Sequence, residues 1–310
     1  GFISSVPFSP TLFLWARKLL KDNKYDFVHL NFPDPLGLLV VLLLRPKTKI
    51  VVTWHSDIVR QKILLKFYQP VVKFFMRHFV DIVLVATEKH KDSCLQLMEC
   101  RVGPRIHVIP FGIETERFLM SPEIQAKVEQ IRGKFSDKFI LMTFGRHVYY
   151  KGFEYLIEAM RGLNDCILLL GGVGPLTKQL KEQSQGLPVE FLGVVSESEL
   201  PAYLHACDLF CFPSVDIAEA YGYAQIEAMA CAKPVLGTWL GNGVNDVNID
   251  GVTGITVQKK NAKALHYAIK KLKDDSRLLA LLGRQAHEKA WTTYSARNTA
   301  SLTMAVFQEF

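Results

Sequence analysis

The sequence of 310 residues lacks the motifs of several large enzyme classes. It contains no G-x-x-x-x-G-K-[ST] loop and no serine-hydrolase elbow, which excludes P-loop nucleotide hydrolases and α/β hydrolases with a nucleophilic serine. It contains no D-x-D pair, so it offers no obvious carboxylate clamp for a metal-bound diphosphate. Its six cysteines form no C-x-x-C pair and no metal-like spacing, which favours reduced thiols in a cytoplasmic protein.

Long hydrophobic runs are also missing. The longest apolar run, PLGLLVVLLL at residues 35–44, has ten residues and is too short to span a bilayer, so we expect a buried helix there. The first residues, GFISSVPFSP, lack a charged start followed by an apolar core, and we therefore expect no secretory signal.

The chain does have the composition of a globular protein, 49% hydrophobic and 22% charged, and enough residues for two domains. Its excess positive charge is confined to one part. Residues 1–118 contain 17 Lys and Arg against 10 Asp and Glu, whereas residues 119–310 contain 20 against 20. A basic surface on one domain predicts an anionic partner: a membrane, a lipid-linked molecule or a nucleic acid.

Short β-rich runs alternate with helical patterns from residue 27 onwards, which predicts parallel sheets covered by helices. The first series is FVHL, KIVVTW, DIVLVAT and RIHVIPFG; the second is FILMTFG, CILLLGG, VEFLG, DLFCF and KPVLGT. The polar segment 113–129 separates them. We therefore predict an α/β protein with two Rossmann-like, doubly wound parallel-sheet domains, residues 1–118 and 119–293, and a C-terminal helix from about residue 284 to 310.

The segment EAYGYAQIEAMACAKPV (219–235) places two carboxylates eight positions apart after a buried strand. Glu219 is expected in the loop at a helix entrance, and Glu227 about one turn inside the helix. Open α/β sheets bind ligands at the carboxyl ends of their strands, and ionised carboxylates accept hydrogen bonds from ribose or sugar hydroxyls. The alternative is a solvated helix face with two unrelated glutamates.

A second segment, FGRHVYYKGFEYLIEAM (144–160), combines a strand end, a loop and a helix start. Gly145 and Arg146 open the loop, and Lys151 precedes the helix. The two cations could converge on a diphosphate, assisted by the backbone N–H groups of the helix start. Two unrelated surface cations are the alternative.

Two further segments carry weaker signals. In LLLGGVGPLTKQL (168–180), Gly172 and Gly174 allow a close backbone approach to a phosphate, but Thr177 stands where a nicotinamide-binding motif would have its third glycine. In VVTWHSDIVRQ (51–61), a strand delivers His55 to the edge of the first sheet, where it is either functional or a satisfied structural histidine.

These four segments resemble motifs of glycosyltransferase family 4, also called group 1, and they occur along the chain in the order expected for that family. The segment 219–235 is similar to its E-x7-E signature. The similarity extends from about residue 31 to 294. It implies the GT-B fold, in which two Rossmann-like domains face a cleft, with the C-terminal helix (294–310) joining the first domain. Within the family, the segments resemble those of bacterial surface-polysaccharide hexosyl- and mannosyltransferases.

The resemblance implies a retaining, metal-independent glycosyltransferase in the cytoplasm, and peripheral attachment to the inner face of the cell membrane is a further expectation. It would transfer a hexose from a nucleoside diphosphate sugar, GDP-mannose first or a UDP-sugar, to a lipid-linked or oligosaccharide acceptor. No cofactor beyond this co-substrate and no nucleic acid is expected. The catalytic residues implied are His55, Arg146, Lys151 and Glu219. The donor-binding residues implied are Gly145, Gly172, Gly174, Val195, Tyr221, Gly222, Tyr223 and Glu227.

Within these roles, Arg146 and Lys151 would bind the diphosphate and Glu227 the ribose. Glu219 would hold the sugar hydroxyls with help from the backbone near Tyr221, and His55 would contact the sugar.

The chain also departs from the family pattern. Its first clear strand begins only at residue 27, so we expect several tens of residues of the N-terminal domain to be absent. This leaves two alternatives open, a non-catalytic nucleotide-sugar-binding remnant and a GT-B sugar-nucleotide epimerase. Tyr221 replaces a common Phe. Ala232 replaces a usual Gly, which would cost on the order of 1 kcal/mol if the position has a positive φ.

Residues 60–79, RQKILLKFYQPVVKFFMRHF, form a basic amphipathic pattern kinked near Pro70. It predicts a helix that lies on anionic lipid headgroups, and a surface helix packed on its own domain is the alternative. The cations near one side are Lys62, Lys66, Lys73 and Arg77, and the apolar residues largely on another are Ile63, Phe67, Val71 and Phe74.

Overall fold

The structure is a computed structural model that describes residues 2–3, 6–7, 9, 11–21, 24–58, 62–100 and 105–309. The chain divides into two compact units, Gly1–Pro110 and Phe111–Phe310. Residues 111–118 and the last helix are grouped with the second unit. The limits that we set from the sequence at residues 118 and 293, and the return of the last helix to the first domain, stay predictions.

The first unit contains a four-stranded parallel sheet in the order β3-β4-β5-β6. Its strands are β3 (Phe27–Phe32), β4 (Lys49–Trp54), β5 (Ile82–Val85) and β6 (Ile106–Val108), after a short antiparallel pair, β1 (Phe2–Ile3) and β2 (Val6–Pro7). Its helices are α1 (Thr11–Leu20), α2 (Pro35–Leu44), α3 (Lys62–His78), α4 (Glu88–Ser93) and α5 (Leu95–Cys100).

Helix α2 is the longest apolar run of the sequence, and only one face of it is buried. Asp34 caps the helix by accepting from the backbone N–H of Gly37 at 2.9 Å. Leu38 and Val41 pack into the core, whereas Leu39 and Leu43 are exposed. The prediction of a helix is confirmed, but full burial was wrong.

Helix α3 confirms the helical prediction for residues 60–79, although residues 60–61 and the side chain of Lys62 lie outside the described part. The side chains that face the core are Val72, Phe75 and Met76. The apolar stripe predicted from the sequence is exposed instead: Ile63, Phe67, Val71 and Phe74 are 79%, 76%, 41% and 52% accessible. Within the described residues, none of the helices is both long and apolar enough to cross a bilayer.

The second unit contains a six-stranded parallel sheet in the order β12-β11-β10-β7-β8-β9. Its strands are β7 (Phe139–Phe144), β8 (Cys166–Gly171), β9 (Val189–Gly193), β10 (Leu209–Phe212), β11 (Val235–Trp239) and β12 (Gly254–Gln258). Its helices are α6 (Pro122–Lys134), α7 (Phe153–Ala159), α8 (Thr177–Gln183), α9 (Leu200–Ala206), α10 (Tyr223–Ala230), α11 (Val244–Val247), α12 (Ala262–Asp274), α13 (Ser276–Thr293) and α14 (Ala296–Gln308).

The strand order creates a topological switch point between β7 and β10. From β7 the chain proceeds outwards through β8 and β9, and from β10 it proceeds in the opposite direction through β11 and β12. Where the loops after two neighbouring strands run in opposite directions, a crevice forms at the carboxyl ends of those strands. Open α/β sheets bind their ligands in such a crevice. The sheet therefore marks the loops after β7 and β10 as the place to look for a site.

Two details differ from the sequence analysis. The predicted C-terminal helix from about residue 284 is interrupted at Tyr294, whose backbone is not helical, so α13 and α14 are separate. Strand β12 was not predicted. All six cysteines are buried and outside any disulfide.

Candidate active site

The centre of the site is an ion pair between the loops that leave β7 and β10. The ammonium nitrogen of Lys151 lies 2.6 Å from Oε2 of Glu219, and both side chains are largely buried, with 14% and 12% exposure. The ammonium group also lies 5.2 Å from the ring centroid of Phe212. The hydroxyl of Ser214 donates to the same carboxylate oxygen at 3.4 Å. The pair is thus held in a partly dehydrated pocket, where electrostatic interactions are strong.

A glycine allows the two loops to meet. Gly152 has φ +65°, and a Cβ there would collide with the carbonyl oxygen of Pro213. The backbone N–H of Val215 donates to the carbonyl of Tyr150 at 2.8 Å and ties the loops together. This close approach places Lys151 beside Glu219.

Arg146 and Gly145 lie on the same loop as Lys151. Gly145 has φ +146°, and a Cβ there would meet the end of the Lys151 side chain at 3.4 Å. Arg146 is exposed and forms no ion pair with a described residue. The loop therefore offers one cation that is already paired with an acid and one that projects into solvent.

Gly172 and Gly174 lie on the loop after β8, and their missing side chains are explained by packing between loops. A Cβ on Gly172 would collide with the carbonyl oxygen of Gly145, and one on Gly174 would lie 2.5 Å from the carbonyl oxygen of His147. The Thr177 hydroxyl donates to the carbonyl of Gly174 at 2.9 Å and accepts from its N–H at 2.8 Å. The glycine pattern thus joins two loops of the site, and phosphate contact is not needed to account for it.

His147, which the sequence analysis passed over, is buried between these loops. Its Nδ1 lies 2.9 Å from the hydroxyl of Thr177, and its ring meets Phe153 and Phe191 edge to face. Burial lowers the pKa of His147, so the ring is neutral at neutral pH. Thr177, at the place of the absent third glycine, supplies the side chain that this histidine contacts.

Glu227 lies one turn inside α10, as predicted, with Glu219 in the preceding loop. Burial raises the pKa of Glu227 to about 7; Arg117 opposes this shift and Glu197 adds to it. Those two residues form an exposed ion pair at 3.1 Å. Glu227 therefore changes charge near neutral pH, which the spacing of the two glutamates could not reveal.

The start of α10 is shaped by Gly222 and an aromatic cluster. Gly222 has φ +84°, and a Cβ there would meet the Phe212 ring at 2.8 Å. The ring of Tyr221 is buried, and its hydroxyl donates to the carbonyl of Phe111 at 2.8 Å. Tyr221 can therefore serve a ligand only through its backbone. Tyr223 is exposed, and Val195, after β9, is half-buried beside Gly171.

Asparagines of the loop after β11 support the site and were not found from the sequence. Asn242 donates to the carbonyl of Glu219 at 2.7 Å and fixes its backbone. The side-chain oxygen of Asn245 accepts from the N–H groups of Leu240 and Gly241, each at 2.8 Å. The dense asparagines in GNGVNDVN were the signal, since such side chains replace backbone partners in turns.

His55 lies in the first unit, in the loop directly after β4. Its Nε2 is 2.9 Å from Oδ1 of Asn31, which lies on β3. Burial, and to a smaller extent His29, lowers the pKa of His55, so its imidazole is neutral at neutral pH. The predicted strand-end position of His55 agrees with the structure, and its function stays a prediction.

The described residues contain no group of three or more His, Cys, Asp or Glu side chains that could hold a metal ion.

Comparisons with known proteins identify the family. The model of glycosyl transferases group 1 matches residues 125–289, and that of glycosyltransferase family 4 matches residues 2–117. The D-rhamnosyltransferase WbpZ of Pseudomonas aeruginosa is 31% identical over 297 residues, 95% of this chain and 76% of the relative. The O-antigen chain mannosyltransferase C of Escherichia coli is 32% identical over 273 residues, 87% of this chain and 71% of the relative.

The fold comparison agrees. The crystal structure of Anabaena Alr3699/HepE in complex with UDP matches with a TM-score of 0.80 at 19% identity, over 94% of this chain and 81% of that one. This confirms the prediction of two parallel-sheet domains of the GT-B class. With two family models and relatives above 30% identity along most of its length, the chain belongs to the glycosyl transferases of group 1.

Proposed function

We propose that the protein transfers a hexose, with retention of anomeric configuration and without a metal ion, from a nucleoside diphosphate sugar to a lipid-linked or oligosaccharide acceptor. The observation that carries this proposal is the Lys151–Glu219 pair at the switch point, with Arg146 on the same loop. A cation next to an acid at this position matches the two ends of the donor, an anionic diphosphate and a polyhydroxylated ring.

On donor binding the ion pair would separate, so that one side chain binds each end of the donor. Lys151 would turn from Glu219 to the diphosphate, where Arg146 adds a forked donor group. Glu219, released from Lys151, would accept hydrogen bonds from sugar hydroxyls, while Asn242 holds its backbone in place. Because the diphosphate gains negative charge as the glycosidic bond breaks, the two cations stabilise the transition state more than the ground state.

The remaining roles follow from position and charge. Glu227, when ionised, would accept from the ribose hydroxyls, and the neutral imidazole of His55 would contact the transferred sugar. We assign no nucleophile. Attack by the acceptor on the face that the diphosphate leaves would give retention.

The donor is proposed from the names of the relatives. One is a D-rhamnosyltransferase and another a mannosyltransferase, which favours a hexose of the manno series, and we propose GDP as the nucleotide that carries it. The fold neighbour was solved with UDP, so UDP-sugars belong in the same test. The proposed acceptor, a lipid-linked or oligosaccharide intermediate of surface polysaccharide synthesis, rests on the O-antigen chain in the name of the second relative, and the cytoplasmic location is part of our proposal.

A thermal-shift panel of GDP, UDP, ADP and their sugars tests the donor assignment. A ligand at 100 times its Kd should stabilise the protein by about 2.7 kcal/mol. Glu227→Ala should remove the shift for the correct nucleotide, whereas Glu182→Ala, at a 62% exposed glutamate, should keep it. A full shift in Glu227→Ala would contradict the ribose role.

The same samples decide between transfer and the alternatives. Release of free sugar or a glycosylated acceptor supports the transferase. Binding without turnover would indicate a non-catalytic nucleotide-sugar-binding protein. An epimerised nucleotide sugar formed without acceptor would indicate a sugar-nucleotide epimerase.

We further propose that the outer face of α3 binds an anionic membrane surface, where a lipid-linked acceptor would be found. The exposed stripe of Ile63, Phe67, Val71 and Phe74 supports this, since contiguous exposed apolar side chains are uncommon on soluble proteins. Two of the predicted cations have other contacts: Lys73 pairs with Glu99 at 2.7 Å, and Arg77 donates to backbone carbonyls of α5. The apolar stripe therefore carries more of this proposal than the charge.

Vesicle binding tests the membrane surface. The double variant Phe67→Ser, Phe74→Ser should lose at least about tenfold in affinity for vesicles rich in phosphatidylglycerol. Tyr267→Ser, at a 70% exposed tyrosine of α12, is the matched control and should bind as wild type. Equal binding of all three proteins would rule the surface out.

A further inference from the structure

The loop that carries His55 is attached to the rest of the first unit by polar contacts on two sides. Residues 55–58 have no regular secondary structure. At the start of this loop, the backbone N–H of His55 donates to the carbonyl of Phe32 at 3.0 Å. Because the amide oxygen of Asn31 only accepts, Nε2 of His55 carries the hydrogen in the contact between them. These two contacts orient the imidazole from the side of β3.

The other side of the loop is held by Asp57. Its Oδ1 accepts from the indole nitrogen of Trp54 at 3.1 Å, and its Oδ2 accepts from the backbone N–H of Gln96 at 3.0 Å. The carboxylate thus bridges the end of β4 and the first turn of α5. Burial raises the pKa of Asp57, while these hydrogen bonds oppose the shift.

Gln96 completes the attachment with its side chain. Its Oε1 accepts from the backbone N–H of Ile58 at 3.0 Å, and its Nε2 donates to the carbonyl of the same residue at 2.9 Å. The side-chain amide therefore pairs with both polar groups of one loop residue, as a neighbouring strand would. Asp57 reaches from the loop to α5, and Gln96 reaches from α5 back to the loop.

We propose that Asp57 and Gln96 form a clamp that positions the imidazole of His55 for sugar transfer. The inference rests on the proposed function, since it needs His55 to act on the transferred sugar. Loops without regular structure are ordinarily mobile, and a misplacement of about 1 Å in a group that contacts the reacting centre costs up to about a hundredfold in rate. The clamp removes that freedom at two successive residues after His55. Both are positioning residues.

The fold of the first unit does not need the polar contacts of Asp57 and Gln96. The hydrophobic core of the first unit already covers β4 and α5 through Trp54 and Leu97, both of which are fully buried. An apolar pair between loop and helix would fill the same space without half-burying the Asp57 carboxylate, which costs free energy unless the group is hydrogen-bonded. What the polar clamp adds is a fixed direction for the loop.

Steady-state kinetics in two backgrounds test the clamp, with hydrolysis of GDP-mannose, or of the sugar nucleotide that the donor panel selects, as the reaction. Gln96→Leu should lower kcat at least about tenfold and leave the KM for the donor within about twofold. In a His55→Ala background, the same substitution should cause no further loss, because there is no imidazole to position. Gln69→Leu is the matched control. Gln69 donates to the carbonyl of Gln96 at 3.3 Å and touches none of the loop contacts, so kcat should stay within about twofold of wild type.

The outcomes separate the two proposals. No hydrolysis or transfer by the wild-type protein would overturn the proposed function. An active wild type with an unaffected Gln96→Leu variant, an equal loss in both backgrounds, or full activity of His55→Ala would overturn the clamp.

An NMR titration of His55 adds a readout that does not need activity. Loosening the loop should return the imidazole to water and move its midpoint upwards, towards the ordinary value for histidine. If Gln96→Leu does not fold, Gln96→Glu replaces it: the carboxylate keeps an acceptor for the N–H of Ile58 and places the other oxygen against its carbonyl. An unchanged His55 midpoint in a folded variant would overturn the clamp.

Discussion

Lys151 and Glu219 illustrate at the scale of single residues how an active site can be prepared before the substrate arrives. Each group is more than four-fifths buried and is paired with the other at 2.6 Å. Neither charge could remain there alone without a large desolvation cost. The donor must replace both interactions at once, which makes an anion joined to a hydroxylated ring a better ligand than either part separately.

Removing both members of this pair should cost less stability than the two single removals added together. Lys151→Met or Glu219→Gln alone leaves a buried group without its partner and should destabilise the protein by about 3–5 kcal/mol. The double variant should lose clearly less than the sum of the two, as denaturant unfolding would measure. All three variants should lack transferase activity. Additive losses would mean that the two side chains do not interact in solution.

Ala232 shows the cost of a single Cβ. The residue has φ +58°, in the left-handed region where the sequence pattern of the family usually has glycine. Ala232→Gly should therefore stabilise the protein by about 0.5–1 kcal/mol, which is the relieved strain less the extra entropy of glycine in the unfolded chain. Ala228→Gly, the same change at a buried helical position, should destabilise it. Chemical denaturation of both variants would check the signs.

At the scale of elements, the sequence predicted best what depends on local pattern. Strands β4 and β9 agree with the prediction to the residue, because each is a short apolar run between clear turn signals. Strand β12 was missed because its GITVQ sequence follows a glycine-rich loop and is partly exposed along most of its length. The break at Tyr294 carries no Pro or Gly, and its one local signal, Ser295, which caps α14 by accepting from the N–H of Asn298, was overlooked.

The site itself was predicted in part. Two sequence segments, 144–160 and 219–235, together with the family resemblance pointed to Lys151, Glu219 and Glu227, which the structure places after β7 and β10, while their roles stay predictions. Their supporting contacts could not be predicted, since Asn242, Gln96 and Asp57 act on partners 23 to 39 positions away. Such contacts depend on which loops become neighbours in the folded sheet. The sequence did identify the apolar stripe of α3, but it left open whether the stripe is exposed or packed, because it did not show that Val72, Phe75 and Met76 fill the core.

Contact between the loops after β7 and β10 gives a prediction at this scale. Gly152→Ala should cost about 2–4 kcal/mol, because the new Cβ collides with the carbonyl of Pro213 in addition to the strain at positive φ. It should also weaken donor binding by moving Lys151 away from Glu219. Gly162→Ala is the matched control, with φ +78° and open space around the position, and should cost only about 1 kcal/mol. Equal unfolding free energies for the two variants would show that the loops are not in close contact.

At the scale of the whole molecule, the chemical features are divided between the two units. The ion pair, Arg146 and Glu227 belong to the second unit, in which acidic and basic residues nearly balance. The exposed apolar stripe and all of the excess positive charge belong to the first. This division suits a transferase whose donor is a soluble anion and whose acceptor lies on a surface.

The free energy of unfolding of the whole protein should depend on pH in part through the ionisation of Glu227. Its pKa is raised by burial to about 7 in the folded state, above its usual value when unfolded. Between these two pKa values the folded state binds more protons than the unfolded state. The contribution of Glu227 to the free energy of unfolding is therefore full at low pH and is lost as the pH rises through about 7. Relative to Glu227→Gln, the wild type should therefore lose on the order of 2 kcal/mol between pH 4 and pH 8, after allowance for solvent screening.

In the ribose-binding role that we propose for Glu227, donor affinity should have the opposite pH dependence, because both oxygens accept hydrogen bonds freely only when the carboxylate is ionised. Affinity for the correct nucleotide should rise with pH through about 7. Two charged side chains act on the pKa of Glu227 in opposite directions, so their variants should shift the pH midpoint of binding in opposite directions. Arg117→Gln removes the cation that lowers its pKa and should move the binding midpoint to higher pH; Glu197→Gln removes the opposing acid and should move it lower. Isothermal titration from pH 5.5 to 8.5 would measure both shifts. Midpoints that move in the same direction, or not at all, would show that another group controls donor binding.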